Sequence, residues 1–406
     1  MVSYRCGECD CMIWWAHLDM DSFFASVEIA SRPYYKDLPL AVGGNEHSRT
    51  VVASASYKAR EYGIKSGMPV YEALNRCPHL IIVNPDMDKY VSVSKEVFGL
   101  VENLAGNILP YSIDECFFYS KDKEDIILKS LHIKRIVKEK LKITASCGIA
   151  DKKIVAKMAS DERKPDGFFV VKDSLKYIRE KDVGDVPGVG RKLKKKLNSL
   201  GVYYVKQLDD IPFPILKKHF KQYAYFLKEV ATLKVSDNIF VYDEVKSVGN
   251  THTFKKDTLK REEILSYISL ICQHIEQRLL EEFFEGNRLT LTFRYSNFQT
   301  FTKQRKVERY IYSSEDIFKE SSKILDSVNL VMPLRLVGVS LGGIRKRGIY
   351  EPLPFFENEK DYRLKECINS IKREFGELSI MKLRDLYVFD RTIRGRGIIS
   401  RVGDGA

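Results

Sequence analysis

The chain has 406 residues, 44% of them hydrophobic and 30% charged, more than one core normally holds, so several domains are expected. No window reaches the roughly 18 uninterrupted apolar residues of a membrane span, and the N-terminus lacks a signal-peptide pattern, so a cytoplasmic protein without membrane contact is expected. A net charge of +12 and a pI near 9.1 point to a polyanionic partner, with a force that depends on where the charge lies.

Eight scattered cysteines without a secretion signal read as reduced thiols. Cys6, Cys9 and Cys11 cluster, but one CxxC falls short of the four ligands of a structural zinc. Residues 1 to 11 therefore read as an N-terminal extension, with Met12 as an alternative natural start. Ile13, Trp14, Trp15, Ala16 and Leu18 then form an apolar run like that of a central strand, ending at Asp19. Helical spacing follows over 22 to 31, with Asp21 or Ser22 as the N-cap. Carboxylates at such a strand-to-helix junction can face a cation.

Residues 39 to 44 and 50 to 54 read as two short strands joined by a polar loop. The helix from Ala55 to Gly63 places Tyr57 and Arg60 one turn apart on one side, where a phenol and a planar guanidinium can hold a polyphosphate. A solvated helix face is the alternative reading. Helical spacing returns over 88 to 106. Next comes Tyr111-Ser112-Ile113-Asp114-Glu115-Cys116-Phe117-Phe118, which reads as a strand with two adjacent acids in an apolar setting. Burying two carboxylates side by side requires a cation. Asp19 and this pair read as the two halves of a metal site.

Helix is expected over 124 to 141, strand over 143 to 150, a short helix over 152 to 160, and a strand at Phe168 to Val171 after the Lys164-Pro165-Asp166-Gly167 turn. Mixed strands and helices give an α+β sheet domain. Asp185-Val186-Pro187-Gly188-Val189-Gly190, followed by Arg191, Lys192, Lys194, Lys195 and Lys196, reads as a helix-hairpin-helix. Its glycine-rich turn exposes backbone N–H groups to DNA phosphate, and the basic residues reinforce the contact. Residues 172 to 243 hold 15 Lys+Arg against 9 Asp+Glu, and residues 244 to 346 hold 17 against 13, so the excess positive charge extends through both. The second segment reads as a sheet containing βαβ units with basic residues facing outward, the alternative being an α+β domain with a solvated face. Its helices are expected near 259 to 284 and 314 to 326, and its strands at 288 to 295 and 334 to 341. Beyond it, Leu353, Phe355 and Phe356 lie in a proline-bounded extended stretch that suits a partner's groove. An amphipathic helix is expected over 360 to 376.

Four stretches in register, Leu18 to Glu28, Tyr57-Lys58-Ala59-Arg60, Ser112-Ile113-Asp114-Glu115 and Lys164-Pro165-Asp166-Gly167, make the chain resemble a Y-family DNA polymerase of the DinB type over about residues 12 to 345. The resemblance implies an α+β right hand. Its palm would span 12 to 30 and 86 to 171, its fingers 31 to 85, its helix-hairpin-helix thumb 172 to 243 and its little finger 244 to 346. The tail, 347 to 406, would carry a sliding-clamp segment at Leu353, Phe355 and Phe356. The implied activity is low-fidelity, template-directed addition of dNTPs to a primer by a monomer that bypasses damaged bases.

By the same resemblance Asp19, Asp114 and Glu115 are the catalytic carboxylates and, with the Met20 carbonyl, hold two Mg²⁺ ions, for which Mn²⁺ can substitute. Hard oxygen ligands suit Mg²⁺. Tyr57, Arg60 and Lys164 match the triphosphate contacts, Ser54 adds a hydroxyl, and Phe24 stands at the steric gate against ribose. Gly44, Ala53 and Gly67 fall where the family keeps small side chains over the new base pair. Gly188, Gly190, Arg191, Lys192 and Lys194 would grip primer-template DNA. Leu109 and Tyr119 depart from the acids usual there, and Lys152 from an asparagine. A palm-type nucleotide cyclase and a catalytically idle DNA-binding scaffold are the competing readings. The first has no use for a basic hairpin, and the second has no need of the six polar site residues.

Overall fold

The computed structural model describes residues 12–44, 49–237 and 245–347, with a few isolated positions between Leu364 and Ile380. Cys6, Cys9 and Cys11, the segment bearing Leu353, Phe355 and Phe356, and most of the expected 360 to 376 helix lie outside the described residues. The chain divides into two compact units, Met1–Tyr242 and Asp243–Ala406. Among the described residues no helix is long and apolar enough to cross a membrane.

The first unit is built on the Trp14–Met20 strand, the middle of five. Its side chains alternate across the sheet. Ala16, Leu18 and Met20 face Cys116, Phe118, Cys147 and Ile149 in a core closed by the Met87–Ala105 and Lys123–Leu141 helices. Trp15, His17 and Asp19 point the other way, toward the Lys153–Ser160 helix. That helix can lie so close because residue 148 is glycine. A Cβ there would stand 2.3 Å from both Ala156 O and Ser160 N.

The neighbouring strand differs from the expected 111 to 118. It begins at Glu115 and runs to Ser120. Pro110 lacks an N–H, and the N–H groups of Tyr111 and Ser112 both turn back to the Glu115 carbonyl, at 2.9 and 3.1 Å. The Asp114 N–H is taken by the Ser112 hydroxyl at 3.2 Å, a local bond that competes with ladder pairing. Asp114 therefore sits in a turn while Glu115 opens the strand. The helix after Asp19 spans Phe23–Ser31, but neither expected cap acts as one. Ser22 has φ 46° and makes no cap bond, and its hydroxyl is buried without a partner.

A three-stranded sheet of Val52–Ala55, Leu40–Gly43 and Ile81–Val83 lies beside this, with the Tyr57–Glu61 helix capped by the Ser56 hydroxyl. Helices follow at Ser174–Arg179, Arg191–Asn198, Phe213–Phe220 and Tyr223–Ala231. Between the first two, Gly188 takes φ 96°, a left-handed conformation glycine adopts without strain, and its carbonyl accepts from the Tyr223 hydroxyl.

The second unit has four long strands in the order Thr300–Ile311, Phe284–Tyr295, Leu334–Gly342, Ser247–Thr258, each antiparallel to its neighbour. The strands joined by the Arg261–Glu281 and Ser314–Asp326 helices run in the same direction with one strand between them, which makes two interleaved βαβ units. The sequence reading missed the Ser247–Thr258 and Thr300–Ile311 strands, whose mostly polar side chains leave no apolar alternation to read.

We expect Gly148→Ala to destabilise the first unit by about 1–3 kcal/mol, since the added methyl must push the helix off the sheet. Denaturant unfolding measures this, and an unchanged midpoint would contradict the close docking.

Candidate active site

Where the Trp14–Met20 strand passes into the Phe23–Ser31 helix, a cavity of about 240 Å³ opens. Asp19, Met20, Phe24, Ser54, Tyr57, Arg60, Asp114 and Lys164 all line it, with Ser22, Ala53 and Ser66. Residues more than a hundred positions apart thus meet at one place. Glu115 is not among the lining residues. A larger hollow of about 580 Å³ beside the Phe168–Val170 edge strand contains none of these side chains.

The polar groups pair as two lysine–carboxylate units. Lys164 Nζ lies 2.7 Å from Asp19 Oδ1 and 2.8 Å from Asp161 Oδ1. Lys157 pairs with Glu115, whose Oε2 also lies 3.0 Å from His17 Nε2. The two acids respond in opposite senses. Burial raises Asp19 to about 6, and Lys164 only partly offsets it because Glu115 and Asp114 add negative charge nearby. Burial also acts to raise Glu115, but His17 and then Lys157 outweigh it and hold the group at about 2. Lys164 itself binds its proton more tightly than usual despite burial, because Asp19 and Asp161 face it. Burial lowers His17, whose Nδ1 lies 2.8 Å from the Ser160 hydroxyl.

On the opposite wall Arg60 lies over the Tyr57 ring, 4.7 Å from its centroid, and its Nε donates to Ala55 O at 3.1 Å. The Ser54 hydroxyl accepts from Ala25 N–H at 3.5 Å, a long contact. Phe24 stacks on fully buried Tyr90, with centroids 4.3 Å apart and planes at 12°. The Tyr90 hydroxyl donates to Glu28 at 2.8 Å, and Glu28 also meets Lys89 at 2.6 Å. Of the three small residues, only Ala53 lines the cavity. In the basic hairpin Arg191 and Lys192 are exposed at the start of the Arg191–Asn198 helix, whereas Lys194 pairs with Asp182 at 2.8 Å.

The sequence reading gave no site role to His17, Lys157 or Tyr90, and took Asp21 as a possible N-cap. His17 was legible as the residue two before Asp19, hence on the same strand face. Asp21, read only as a possible cap, accepts from the Asp166 N–H at 2.7 Å and the Ser146 hydroxyl at 2.8 Å. As a test for a metal, Asp19 and Asp114 bring hard carboxylate oxygens to one cavity, where a lysine ammonium already neutralises one of them. That donor chemistry fits a divalent cation. Among the described residues no three His, Cys, Asp or Glu side chains form a ready cluster, and Glu115 is held by His17 and Lys157.

Removing the Lys164 charge should raise Asp19 further, because that charge is the main influence lowering it. In metal-free protein we expect carboxyl-detected NMR to show Asp19 titrating near 6, and higher still in Lys164→Ala. An identical midpoint in the two proteins would remove the pairing.

The chain is similar to known proteins over most of its length. Residues 18–161 match the impB/mucB/samB family, 172–202 the helix-hairpin-helix motif of the same family, and 245–351 its C-terminal domain. The chain is 33% identical to DNA polymerase IV of Clostridium perfringens (strain SM101) over 344 residues, 82% of this chain and 95% of that protein. It is 32% identical to DNA polymerase IV of Bacteroides fragilis, covering 84% of this chain and 96% of the relative. A solved Y-family DNA polymerase chimera of Dbh and Dpo4 superposes with a TM-score of 0.75 at 28% identity, over 82% of this chain and all of that one. DinB from Sulfolobus solfataricus gives a TM-score of 0.53 at 28% identity, with the same coverage. The chain therefore belongs to the impB/mucB/samB family of Y-family DNA polymerases, of the DinB type.

Proposed function

We propose that this polymerase adds dNTPs to a primer 3′ end under template direction and copies damaged bases, with chemistry in the cavity between Asp19, Asp114, Tyr57, Arg60 and Lys164. The observation that carries this is the convergence of carboxylates, phosphate-type cations and an aromatic floor on one cavity. An idle scaffold would need no such convergence, and a cyclase would need no basic hairpin.

Asp19 and Asp114, with the Met20 carbonyl, would hold Mg²⁺, and Glu115 would join them on leaving Lys157. We assign two ions, with Mn²⁺ as a substitute. When bound, they supply Lewis acidity toward the primer hydroxyl and neutralise charge on the leaving pyrophosphate. The remaining steps belong to the chain. Tyr57 and Arg60, already stacked, present a phenol and a guanidinium fork to the triphosphate, and Lys164 leaves Asp19 for the same phosphates. Phe24, backed by Tyr90, forms a flat wall under the sugar where a 2′-hydroxyl would clash. A cavity flanked by Ala53 tests the new base pair weakly by shape, which admits altered template bases.

The domain assignment follows: palm 12 to 30 and 86 to 171, fingers 31 to 85, thumb 172 to 243, little finger 244 to 346. Gly188, Gly190, Arg191 and Lys192 would contact DNA phosphate directly, and Lys194 on release from Asp182. The outward face of the second sheet supports the same partner, since Arg288 stands opposite Lys306 there and Arg294 beside Thr300. We further assign a monomer acting in the cytoplasm, tethered to a sliding clamp through Leu353, Phe355 and Phe356.

Primer extension with Mg²⁺ on intact and damaged templates tests this reading. We expect Asp114→Ala to lower extension by more than about a hundredfold; equal extension by the two proteins would refute it. Phe24→Ala should incorporate ribonucleotides far more readily in single-nucleotide insertion assays, and unchanged sugar discrimination would dismiss the gate.

A further inference from the structure

The steps above leave the buried Lys134 without a task. Lys134 lies on the Lys123–Leu141 helix with 9% of its side chain exposed. Its Nζ stands 2.8 Å from the carbonyl oxygens of Ala145, Asp166 and Gly167, and 3.0 Å from Asp166 Oδ1. A buried ammonium is tolerated only where oxygens replace its water, and here four converge on one cation. Three of the four belong to Asp166 and Gly167, the end of the turn that begins at Lys164. The fourth, Ala145, belongs to the central sheet.

The same turn is gripped from its other side. The Asp166 N–H donates to Asp21 Oδ2 at 2.7 Å, the Gly167 N–H to Ser146 Oγ at 3.0 Å, and that hydroxyl to Asp21 Oδ1 at 2.8 Å. Asp166 is held at φ 54°, a conformation uncommon for a residue with a side chain. Gly167 packs closely on Arg163, since an added Cβ would stand 2.4 Å from Arg163 O. Lys138 also reaches Asp166, at 2.6 Å, but its side chain is mostly exposed. The buried cation is therefore one of the bonds between turn and sheet, and the one that gathers most of the turn's oxygens, while Lys164 projects from that turn into the cavity.

We propose that Lys134 is a positioning residue for nucleotide binding: it ties the Lys164-Pro165-Asp166-Gly167 turn to the central sheet and so sets where the Lys164 ammonium meets the triphosphate. The inference rests on the reading of Lys164 as a triphosphate contact. Lys134 touches no substrate and acts only through Lys164. Loss of its charge loosens the turn, which Asp21 and Ser146 then hold from one side only, and a displacement of about an ångström at a charged contact is worth ten- to a hundredfold in rate.

The test is a double-mutant cycle on kcat/KM for the incoming dNTP, using the full chain and comparing Lys134→Met, Lys164→Ala and the double variant. Melting temperature and primer-template affinity are measured alongside. We expect Lys134→Met to lower kcat/KM by about tenfold or more, with DNA affinity within about twofold. In the Lys164→Ala background it should change kcat/KM by less than about twofold, because the group it positions is gone. Equal losses in both backgrounds, or no loss in a folded Lys134→Met, would overturn the inference. If Lys134→Met does not fold, Asp166→Asn replaces it, with a smaller loss that must likewise vanish beside Lys164→Ala. An unaltered kcat/KM in Lys164→Ala alone would instead refute the triphosphate reading, so the two failures are distinguishable.

Discussion

Asp19 and Glu115 are directly opposite one another on adjacent antiparallel strands, and like charges so placed repel. In a partly buried setting this repulsion is tolerable only if each carboxylate has its own cation. Lys157 answers Glu115 and Lys164 answers Asp19. Both lysines come from one short stretch, the Lys153–Ser160 helix and the turn after it. The close approach of that helix at Gly148 and the pinning of that turn by Lys134 and Asp21 thus serve one electrostatic requirement.

The two pairs are not equivalent, and the difference suits a site that must accept substrate. Glu115 is enclosed by His17 and Lys157, lies outside the cavity and stays ionised far into the acid range. Asp19 lines the cavity, and its charge is only partly compensated. In the proposed roles, an incoming cation would relieve Asp19, while an incoming triphosphate would give Lys164 a second anionic partner. On the proposed reading, metal and nucleotide binding would favour each other through the breaking of one ion pair.

The proposed DNA contacts fall on two surfaces of different construction. In the first unit a short helix presents its N-terminal turn and two exposed basic side chains, with Gly188 making the tight entry. In the second, interleaved βαβ units keep both helices on one sheet face and leave basic and small polar residues on the other. The basic side chains on both surfaces suit a phosphate backbone.

Much of this was legible in the chain itself. Strand Trp14–Met20, the long helices, the Tyr57–Arg60 pairing and the second unit's apolar strands follow from periodicity and caps, because local spacing decides which faces are buried. The family resemblance placed Asp19, Asp114, Tyr57, Arg60 and Lys164 at one site, and all five line one cavity. What local spacing could not show was direction and partnership. The Ser112–Asp114 turn separates two acids that are adjacent in sequence, Glu115 faces a histidine and a lysine instead of the cavity, and Asp21 braces a distant turn instead of capping its own helix. Those outcomes depend on which charges long-range packing brings within a few ångströms of each carboxylate. Such encounters leave no periodic mark in the sequence, so only the tertiary structure could decide them.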